Sequence, residues 1–441
     1  MKRNELNEKF RDYARQLSPT ADERTLISKV YASINDLFGT TNCIQIGSYP
    51  RFTAITPIHD LDILYVLGRW DAQNHDPQTT LRQLHTLLSQ QYRNPTAYTV
   101  KFSLQDHSVT VEFYSGDKLV LSVDIVPSYS YSTNEFGQPT YMVPEVIKQQ
   151  NHQKRHQTQW SPYQQDGWIH SDPRGYISVA TDVGQNSDFR KAVKIAKAWK
   201  YKLKKADENL KLKSFHLEQV ITRMFQEDEL LDLADALFSF FVDIPDIIGT
   251  PNQVADRANP DKYIDDYLAD LTDTQKAKII HARDNVLIAL EQITPSTSIA
   301  EVLEPNFKQR NPSEQFMFDH GVPVHLDHSN RRLAIDFDEM SPNRSERRRA
   351  QRRHQPIGNK LYFKIVEGFD DAMRYFWKVK NSDLLHIDKR RGEITEGQTK
   401  NHPESTAWPG SHYVECYAVN EEGVCTDIAR VDVPIGEEYA E

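Results

Sequence analysis

Cysteine is nearly absent from the chain. Only three of its 441 residues are cysteines, at Cys43, Cys416 and Cys425. A disulfide framework needs an even set of closely spaced cysteines, and the usual structural zinc modules need paired Cys-x-x-Cys motifs. Because the sequence has neither, we exclude a disulfide-stapled domain and a cysteine-rich zinc module.

Long apolar runs are also missing. No segment approaches the roughly 20 apolar residues that a helix needs to cross a bilayer. The first ten residues, MKRNELNEKF, are charged and lack the apolar stretch of a signal peptide. We therefore expect a soluble, cytoplasmic protein without a membrane partner.

The chain has no excess of positive charge. Its formal net charge is −10, which argues against wrapping along nucleic acid by bulk electrostatics. One local exception is the basic run Arg344–Arg353, which carries six arginines. This run is either a solvated segment or a docking site for RNA or another polyanion, and the sequence leaves both interpretations open.

Four segments differ in their patterning. Residues 1–185 mix helical and strand patterns, which predicts a mixed sheet with flanking helices and additional N-terminal helices. Residues 186–310 are helical throughout. Residues 311–355 are polar, basic and proline-containing, as is typical of a linker. Residues 356–441 alternate like short strands, which predicts a small all-β sandwich and, for the whole chain, an α+β fold.

Three aspartates stand out in the first segment because each lies inside an apolar strand pattern. Asp60 and Asp62 lie in DLDILYVL, and residues two apart in a strand point to the same face. Asp124 lies in LVLSVDIVP, which follows the hairpin signal Ser115-Gly116-Asp117. If the two strands are neighbours, the three carboxylates converge on one shared point.

Such a carboxylate group predicts a magnesium site. Mg²⁺ prefers oxygen ligands and keeps open positions for substrate phosphates, and two such ions suit in-line nucleotidyl transfer. We therefore predict that all three aspartates are catalytic and metal-binding. Ahead of them, Gly47 and Ser48 are predicted to bind the nucleotide: we expect a turn leading into a helix start, whose free N–H groups cradle phosphates while the glycine permits close approach.

A family resemblance accompanies these residues. The segments GSYPRFTAITPIHDLDILYVL, SVDIVPSY, RKAVKIAKAWK and LKSFHLEQVI resemble those of the bacterial cGAS/DncV-like nucleotidyltransferases (CD-NTases, SMODS-type). These belong to the polymerase-β-like nucleotidyltransferase superfamily, which includes the oligoadenylate synthases. The resemblance covers residues 1–300. It implies a polymerase-β-like core over the first segment and, over the second, a helical lobe like that of the oligoadenylate synthases, completing the active-site cleft.

The same resemblance assigns further residues. It implies that Lys197 and Ser214 contact the donor triphosphate. For Lys197 the alternative is a solvated cationic helix. We assign Lys200, like the lysines that follow it, to the surface, and we expect His216 and Glu218 to pack or cap rather than to catalyse.

The last segment carries a second resemblance. From about residue 358 to 435, the stretches YFWKVKN, RRGEI and HPESTAWPGSHYVECYAV resemble the sensor-type domain called AGS-C, which accompanies some CD-NTases. His402, His412, Cys416 and Cys425 raise the alternative of a zinc site. Their spacings do not form a paired module, so we favour packing for these side chains.

The resemblances imply an enzyme with a signalling product. The implied activity is Mg²⁺-dependent, with Mn²⁺ as an alternative ion, and joins ATP or other nucleoside triphosphates into a cyclic di- or oligonucleotide. In antiphage (CBASS) signalling such a product activates an effector protein. Two alternatives remain: a nucleotidyltransferase that modifies RNA or a protein, and a catalytically silent nucleotide or RNA sensor.

Overall fold

The computed structural model describes residues 1–58, 60–71, 75–146, 164–165, 167–326, 333–340, 348–349, 354–368, 374–398 and 403–436. The chain divides into two compact units. The unit that we call the N-terminal unit consists of Phe10–Ala236 and Asp246–Thr272. The C-terminal unit consists of Met1–Lys9, Leu237–Pro245 and Asp273–Glu441.

The N-terminal unit is built on an eight-stranded mixed sheet. The order along its main path is β1-β2-β5-β6-β8-β7, and β4 joins β5 with β3 on its outer side. The hairpin between β4 and β5 is antiparallel and turns at Gly116, which has φ 62°, as the sequence predicts. The strands are β1 (Cys43–Ile46), β2 (Asp60–Arg69), β3 (Thr99–Leu104), β4 (Val109–Ser115), β5 (Lys118–Thr133), β6 (Pro139–Pro144), β7 (Gln164–Gln165) and β8 (Trp168–Ser171).

Helices accompany this sheet and follow it in the chain. Their bounds are α1 (Arg3–Gln16), α2 (Ala21–Phe38), α3 (Pro77–Gln91), α4 (Pro173–Val183), α5 (Ser187–Ala206), α6 (Ser214–Glu227), α7 (Leu233–Gly249), α8 (Asp273–Glu291) and α9 (Ile299–Val302), with 3-10 turns at Asp266–Asp270, Met317–His320 and Ile387–Lys389. Among the helices of the described residues, none has the length and apolarity that a bilayer crossing requires.

The elements near the sheet form where their sequences favour them. Helix α2 begins at a capping box, in which Thr20 accepts from the backbone N–H of Glu23 and Glu23 accepts from that of Thr20. The apolar face of α2, which includes Ile27 and Val30, packs with that of α3 against buried strand residues such as Val123. Alternating burial along β2 and β5 therefore leaves their acidic residues on the face away from this core.

The C-terminal unit contains two four-stranded sheets with the orders β10-β9-β11-β14 and β13-β12-β15-β16. Their inner faces share one apolar cluster, with Phe337 and Phe363 from the first sheet and Trp377 and Cys416 from the second. The strands are β9 (Ala334–Met340), β10 (Arg348–Arg349), β11 (Lys360–Glu367), β12 (Arg374–Lys380), β13 (Ile394–Glu396), β14 (Glu404–Ser405), β15 (Gly410–Val419) and β16 (Cys425–Ile435). The predicted α+β class with a C-terminal β-sandwich is confirmed.

Candidate active site

The two central acids are brought together by a parallel strand pair. Strand β2 runs parallel to β5, and the register pairs Asp62 directly with Asp124. Paired residues on adjacent strands lie about 4.8 Å apart and share a face. On the other side of β5, the antiparallel pairing places Thr110 opposite Asp124. Asp62, Asp124 and Thr110 therefore form a row across one face of the sheet.

The carboxylate of Asp124 is held in place by two hydroxyl groups. The Oγ1 of Thr110 and the Oγ of Ser108 both donate to its Oδ1, the latter at 3.4 Å. Because both hydroxyls donate to the same oxygen, they restrict the rotation of the carboxylate.

Burial and the neighbouring acids make the ionised form of Asp62 less favourable. The pKa of Asp62 is raised to about 6: burial raises it most, the neighbouring charges of Asp124 and Asp60 also raise it, and Arg51 and Lys197 act in the opposite direction. Asp60 lies one strand repeat from Asp62 and is exposed. The structure therefore brings the three predicted acids to one face of the sheet.

The three acids do not all converge on one point. Across the described ranges of the chain, no three carboxylate, imidazole or thiol groups are placed to hold a metal ion together. Asp62 and Asp124 are direct neighbours, and Asp60 lies roughly 6.6 Å further along the strand at about 3.3 Å per residue. The predicted convergence of all three carboxylates on one point is therefore not seen in the described residues.

Gly47 allows the chain to approach Asp62 closely. It has φ 74°, a left-handed conformation, and a Cβ added there would lie 1.9 Å from Oδ2 of Asp62. The predicted helix start after Ser48 is wrong: residues 47–52 form consecutive turns. The turns arise because the carbonyl oxygen of Ser48 accepts from the backbone N–H of Thr53 at 3.0 Å and folds the segment back on itself.

Replacing Gly47 with alanine is expected to disturb Asp62 specifically. The matched control is Gly116→Ala, because Gly116 has a similar φ of 62° but an added carbon would meet no described atom within 4 Å. Both variants carry the backbone strain of a non-glycine residue, about 1–3 kcal/mol of unfolding free energy. Only Gly47→Ala forces the Asp62 carboxylate to turn away.

Urea unfolding and nucleotidyl transfer, measured on both variants, separate these effects. We expect comparable losses of stability but loss of activity in Gly47→Ala alone. Equal activity in the two variants would mean that the close contact has no bearing on the site.

A buried ionic network lies beside the acids. The carboxylate of Glu218 accepts from Nε of Arg51 at 2.6 Å and from Nζ of Lys197 at 2.6 Å. Burial raises the pKa of Glu218, but the charges of Lys197 and Arg51 and their hydrogen bonds outweigh it and hold that pKa well below its usual range. The network therefore joins the turn after β1 to helices α5 and α6 through fixed charges.

Lys197 is more enclosed than the sequence suggests. It is 6% exposed, and its Nζ donates to Glu218, to Oγ1 of Thr53 at 3.0 Å and to the carbonyl oxygen of Thr53 at 3.1 Å. An ammonium group has three protons, so these three bonds use all of them. A contact between Lys197 and a phosphate, as the resemblance implies, requires one of these bonds to be exchanged.

Lys200 is the functional candidate that the sequence reasoning missed. It lies one helical turn beyond Lys197 and is half-buried rather than a plain surface residue. Burial lowers the pKa of Lys200, with Lys204 and Lys197 adding to the effect, whereas the negative charge of Asp60 acts in the opposite direction. Its spacing of three residues from Lys197 was the available signal, because i and i+3 share a helix face.

Ser214 is the first residue of α6, at the end of the helix where backbone N–H groups are unpaired. Within the described residues, the N-cap Lys213 makes no side-chain capping bond. The next residue, Phe215, lies under the guanidinium group of Arg51 at 5.2 Å from the ring centroid. The helix start and the ionic network are therefore adjacent.

His216 and Glu218 have structural roles, as expected. Nδ1 of His216 is 2.9 Å from the hydroxyl of Tyr267, and burial lowers its pKa to about 4, so the ring is neutral at pH 7.

The zinc alternative gains no support: Cys416 and Cys425 belong to different apolar clusters. His402 and nearly all of the basic run Arg344–Arg353 lie outside the described residues.

One family model matches the C-terminal part of the chain. Residues 311–436 match the Adenylyl/Guanylyl and SMODS C-terminal sensor domain. The AGS-C resemblance seen in the sequence is confirmed, and the match begins at residue 311 rather than near 358. Strand β9 (Ala334–Met340) lies in that added part. Among curated proteins, none matches the chain.

The chain is similar to several solved bacterial structures at low sequence identity. The E. coli MS115-1 CdnC:HORMA-deltaN complex has 17% identity and a TM-score of 0.49, over 70% of this chain and 99% of that chain. E. coli MS115-1 CdnC with ATP has 17% identity and a TM-score of 0.48, over 69% and 99%. The Bradyrhizobium diazoefficiens CD-NTase CdnG in complex with GTP has 12% identity and a TM-score of 0.45, over 68% and 97%.

Proposed function

We propose that the chain is a Mg²⁺-dependent nucleotidyltransferase that joins nucleoside triphosphates into a cyclic di- or oligonucleotide. The observation that carries the proposal is the parallel register that pairs Asp62 with Asp124. The sequence resemblance of residues 1–300 to the CD-NTases supports the cyclic product. The matched C-terminal sensor domain, which is named for its occurrence with such enzymes, is consistent with it.

The residues present fit a divalent cation. The donors are carboxylate oxygens, which Mg²⁺ prefers, and the pKa of Asp62 is raised first by burial and then by the negative charges of Asp124 and Asp60, which a cation would balance. We propose that Asp60, Asp62 and Asp124 hold the ions, with Thr110 and Ser108 fixing the orientation of Asp124. When bound, Mg²⁺ supplies charge stabilisation for the attacking hydroxyl and the leaving pyrophosphate.

The chain's own residues would position the triphosphate. Gly47 leaves room beside Asp62, and the start of α6 at Ser214 presents backbone N–H groups of the kind that bind phosphate. We add Lys200 to the phosphate contacts, since it lies near Asp60. Lys197 acts mainly by holding the turn at Thr53, and its direct phosphate contact remains part of the proposal.

Replacing Lys200 with alanine is expected to weaken substrate use. The charge near Asp60 would be lost, so we expect kcat/KM for the triphosphate to fall about 10- to 100-fold, as is typical for one charge-assisted hydrogen bond of about 1.5–3 kcal/mol. Lys204→Ala is the matched control, because Lys204 is exposed on the same helix. Equal effects in steady-state kinetics of the two variants would remove Lys200 from the site.

Labelled nucleotides test the function itself. Purified protein is incubated with each α-labelled triphosphate and Mg²⁺ or Mn²⁺, and the products are digested with phosphatase and separated. A small phosphatase-resistant product supports a cyclic oligonucleotide synthase. Label on added RNA or on protein would instead indicate the RNA- or protein-modifying alternative, and no product under any condition would indicate a silent sensor.

The biological role follows from the product. A cyclic nucleotide made in the cytoplasm has no use in the enzyme itself, so we propose a separate effector protein that it activates, in antiphage signalling of the CBASS type. A strain that carries the gene with its neighbours should resist phage, and the Asp62→Asn strain should not. Equal phage titres on both strains would show that nucleotidyl transfer does not serve phage resistance.

A further inference from the structure

The C-terminal sandwich contains a partly open cavity of about 160 Å³. Its apolar walls come from both sheets, with Leu361 and Phe363 on one and Val379 and Val414 on the other. An engineered apolar cavity of about 150 Å³ accommodates benzene, so this cavity has room for one small ring system rather than for a whole nucleotide. All of its lining residues lie within the segment that matches the sensor-domain family.

A buried imidazole faces this space. His412 is 7% exposed and lines the cavity. Its Nδ1 is 3.3 Å from Oδ1 of Asn381, and the ring also lies against the backbone of Trp408 and Pro409. Its Nε2 is buried and completes no well-formed hydrogen bond among the described residues. An unpaired buried polar atom is costly unless something binds it, so Nε2 points to a ligand with a hydrogen-bonding edge.

One wall of the cavity is an indole. Trp408 lines the cavity and remains 39% exposed, unlike the core residue Trp377 at 1%. The ammonium group of Lys389 lies over the Trp408 ring, 3.7 Å from the centroid. A partly exposed indole that is held by a cation and borders a cavity is suited to stack on a flat ring.

The charged residues that line the cavity, Arg391 and Glu404, are paired with each other. The guanidinium group of Arg391 donates to Glu404 at 2.7 Å and, through Nε, to Glu393 at 2.7 Å. A phosphate or carboxylate placed there would meet the carboxylate of Glu404 as well as the guanidinium. The arrangement therefore favours an uncharged ligand over an anionic one.

We propose that this cavity is a ligand site for an uncharged planar heteroaromatic ring of the nucleobase class, stacked on Trp408 and hydrogen-bonded to Nε2 of His412. A free base and a base at the end of a larger molecule share this chemistry. The site is distinct from the acids of the N-terminal unit. It does not depend on the proposed nucleotidyl transfer, because none of its residues belongs to that unit.

Calorimetric titration of the full chain with four probes tests this site. The probes are adenine and uracil as polar flat rings, benzene as a flat ring without polar atoms, and AMP as a base with a charged phosphate. We expect at least one base to bind with a Kd in the micromolar to millimolar range. We expect benzene and AMP to bind at least about 10-fold more weakly than that base, since each 10-fold step corresponds to about 1.4 kcal/mol.

Substitutions of residues that line the cavity test whether the bases bind there. Trp408→Ala should weaken base binding about 5- to 100-fold, the range typical of base stacking on an aromatic side chain, and Trp408→Phe should restore part of it. His412→Leu should weaken the two bases but not benzene. Leu384→Ala is the control, because Leu384 is 95% exposed and lies outside the lining. Circular dichroism checks that each variant is folded.

Three results would overturn the proposal. No binding of either base at about 10 mM means that the cavity holds only water. Benzene binding as tightly as the bases means that it is an apolar void. Base binding that is unchanged in Trp408→Ala and His412→Leu, but lost in Asp62→Asn, places the bases at the nucleotidyl transfer site instead.

Discussion

The Asp62→Asn variant is expected to lose nucleotidyl transfer by at least about 1,000-fold while remaining folded. Metal-held charge supplies several kcal/mol of transition-state stabilisation, and each 1.36 kcal/mol corresponds to a factor of ten in rate. Asparagine keeps the size of the side chain, so the strand pairing of β2 with β5 should be retained. The same loss is expected for Asp124→Asn, because the register makes the two residues direct neighbours.

The stability of this variant is the informative second measurement. The pKa of Asp62 is raised to about 6, so at neutral pH its ionised form is less favourable in the folded protein than in the unfolded chain. Removing the charge should leave the unfolding midpoint unchanged or raise it slightly in metal-free buffer. Asp117→Asn, in the exposed turn of the β4–β5 hairpin, is the control and should keep full activity. A folded Asp62→Asn protein with normal turnover would refute the site assignment.

The Glu218→Gln variant should be the most destabilised single substitution in the N-terminal unit. It leaves the charges of Arg51 and Lys197 buried without their carboxylate, and breaking a buried pair in this way typically costs about 3–5 kcal/mol. Glu227→Gln, an exposed glutamate at the end of the same helix, should change the unfolding free energy by less than about 0.5 kcal/mol. Urea unfolding of both variants measures the difference.

The pH dependence of stability provides an independent check on Glu218. Its pKa in the fold is lowered, so its contribution is fully present above the ordinary glutamate pKa of about 4.3 and is lost as the pH falls below that value. The unmodified protein should therefore lose more stability than Glu218→Gln between about pH 5 and about pH 3. Parallel curves for the two proteins over that range would show that the glutamate is not held as a charged partner.

Local patterns in the sequence were sufficient to predict the strand face on which the acidic residues lie. The period-two alternation in DLDILYVL and LVLSVDIVP placed Asp62 and Asp124 on solvent-facing sides of buried strands. The hairpin at Gly116 followed from Ser115-Gly116-Asp117. These features depend on neighbouring residues only, so a single sequence determines them.

The other features of the site depend on contacts between residues far apart in the sequence, which the sequence alone does not predict. The ionic network joins Arg51 to Glu218 across 167 residues and Lys197 to Glu218 across 21, and no local pattern specifies such partners. The phosphate contact of Lys197 comes from the family resemblance, and no local pattern indicates that its Nζ is buried against Glu218 and Thr53. Lys200 was assigned to the surface, although it is half-buried. The helix start expected after Ser48 was wrong because the turn is closed by a hydrogen bond to Thr53, which propensity alone does not indicate.

The central claim is that the acids on β2 and β5 bind divalent cations beside a triphosphate. Anomalous X-ray scattering from a crystal grown with Mn²⁺ and a non-hydrolysable triphosphate measures this most directly. We predict one or two anomalous peaks within about 2.5 Å of carboxylate oxygens of Asp62 and Asp124, with phosphate oxygens completing the coordination. Bound nucleotide with no peak at these carboxylates, or peaks only at other residues, would contradict the account.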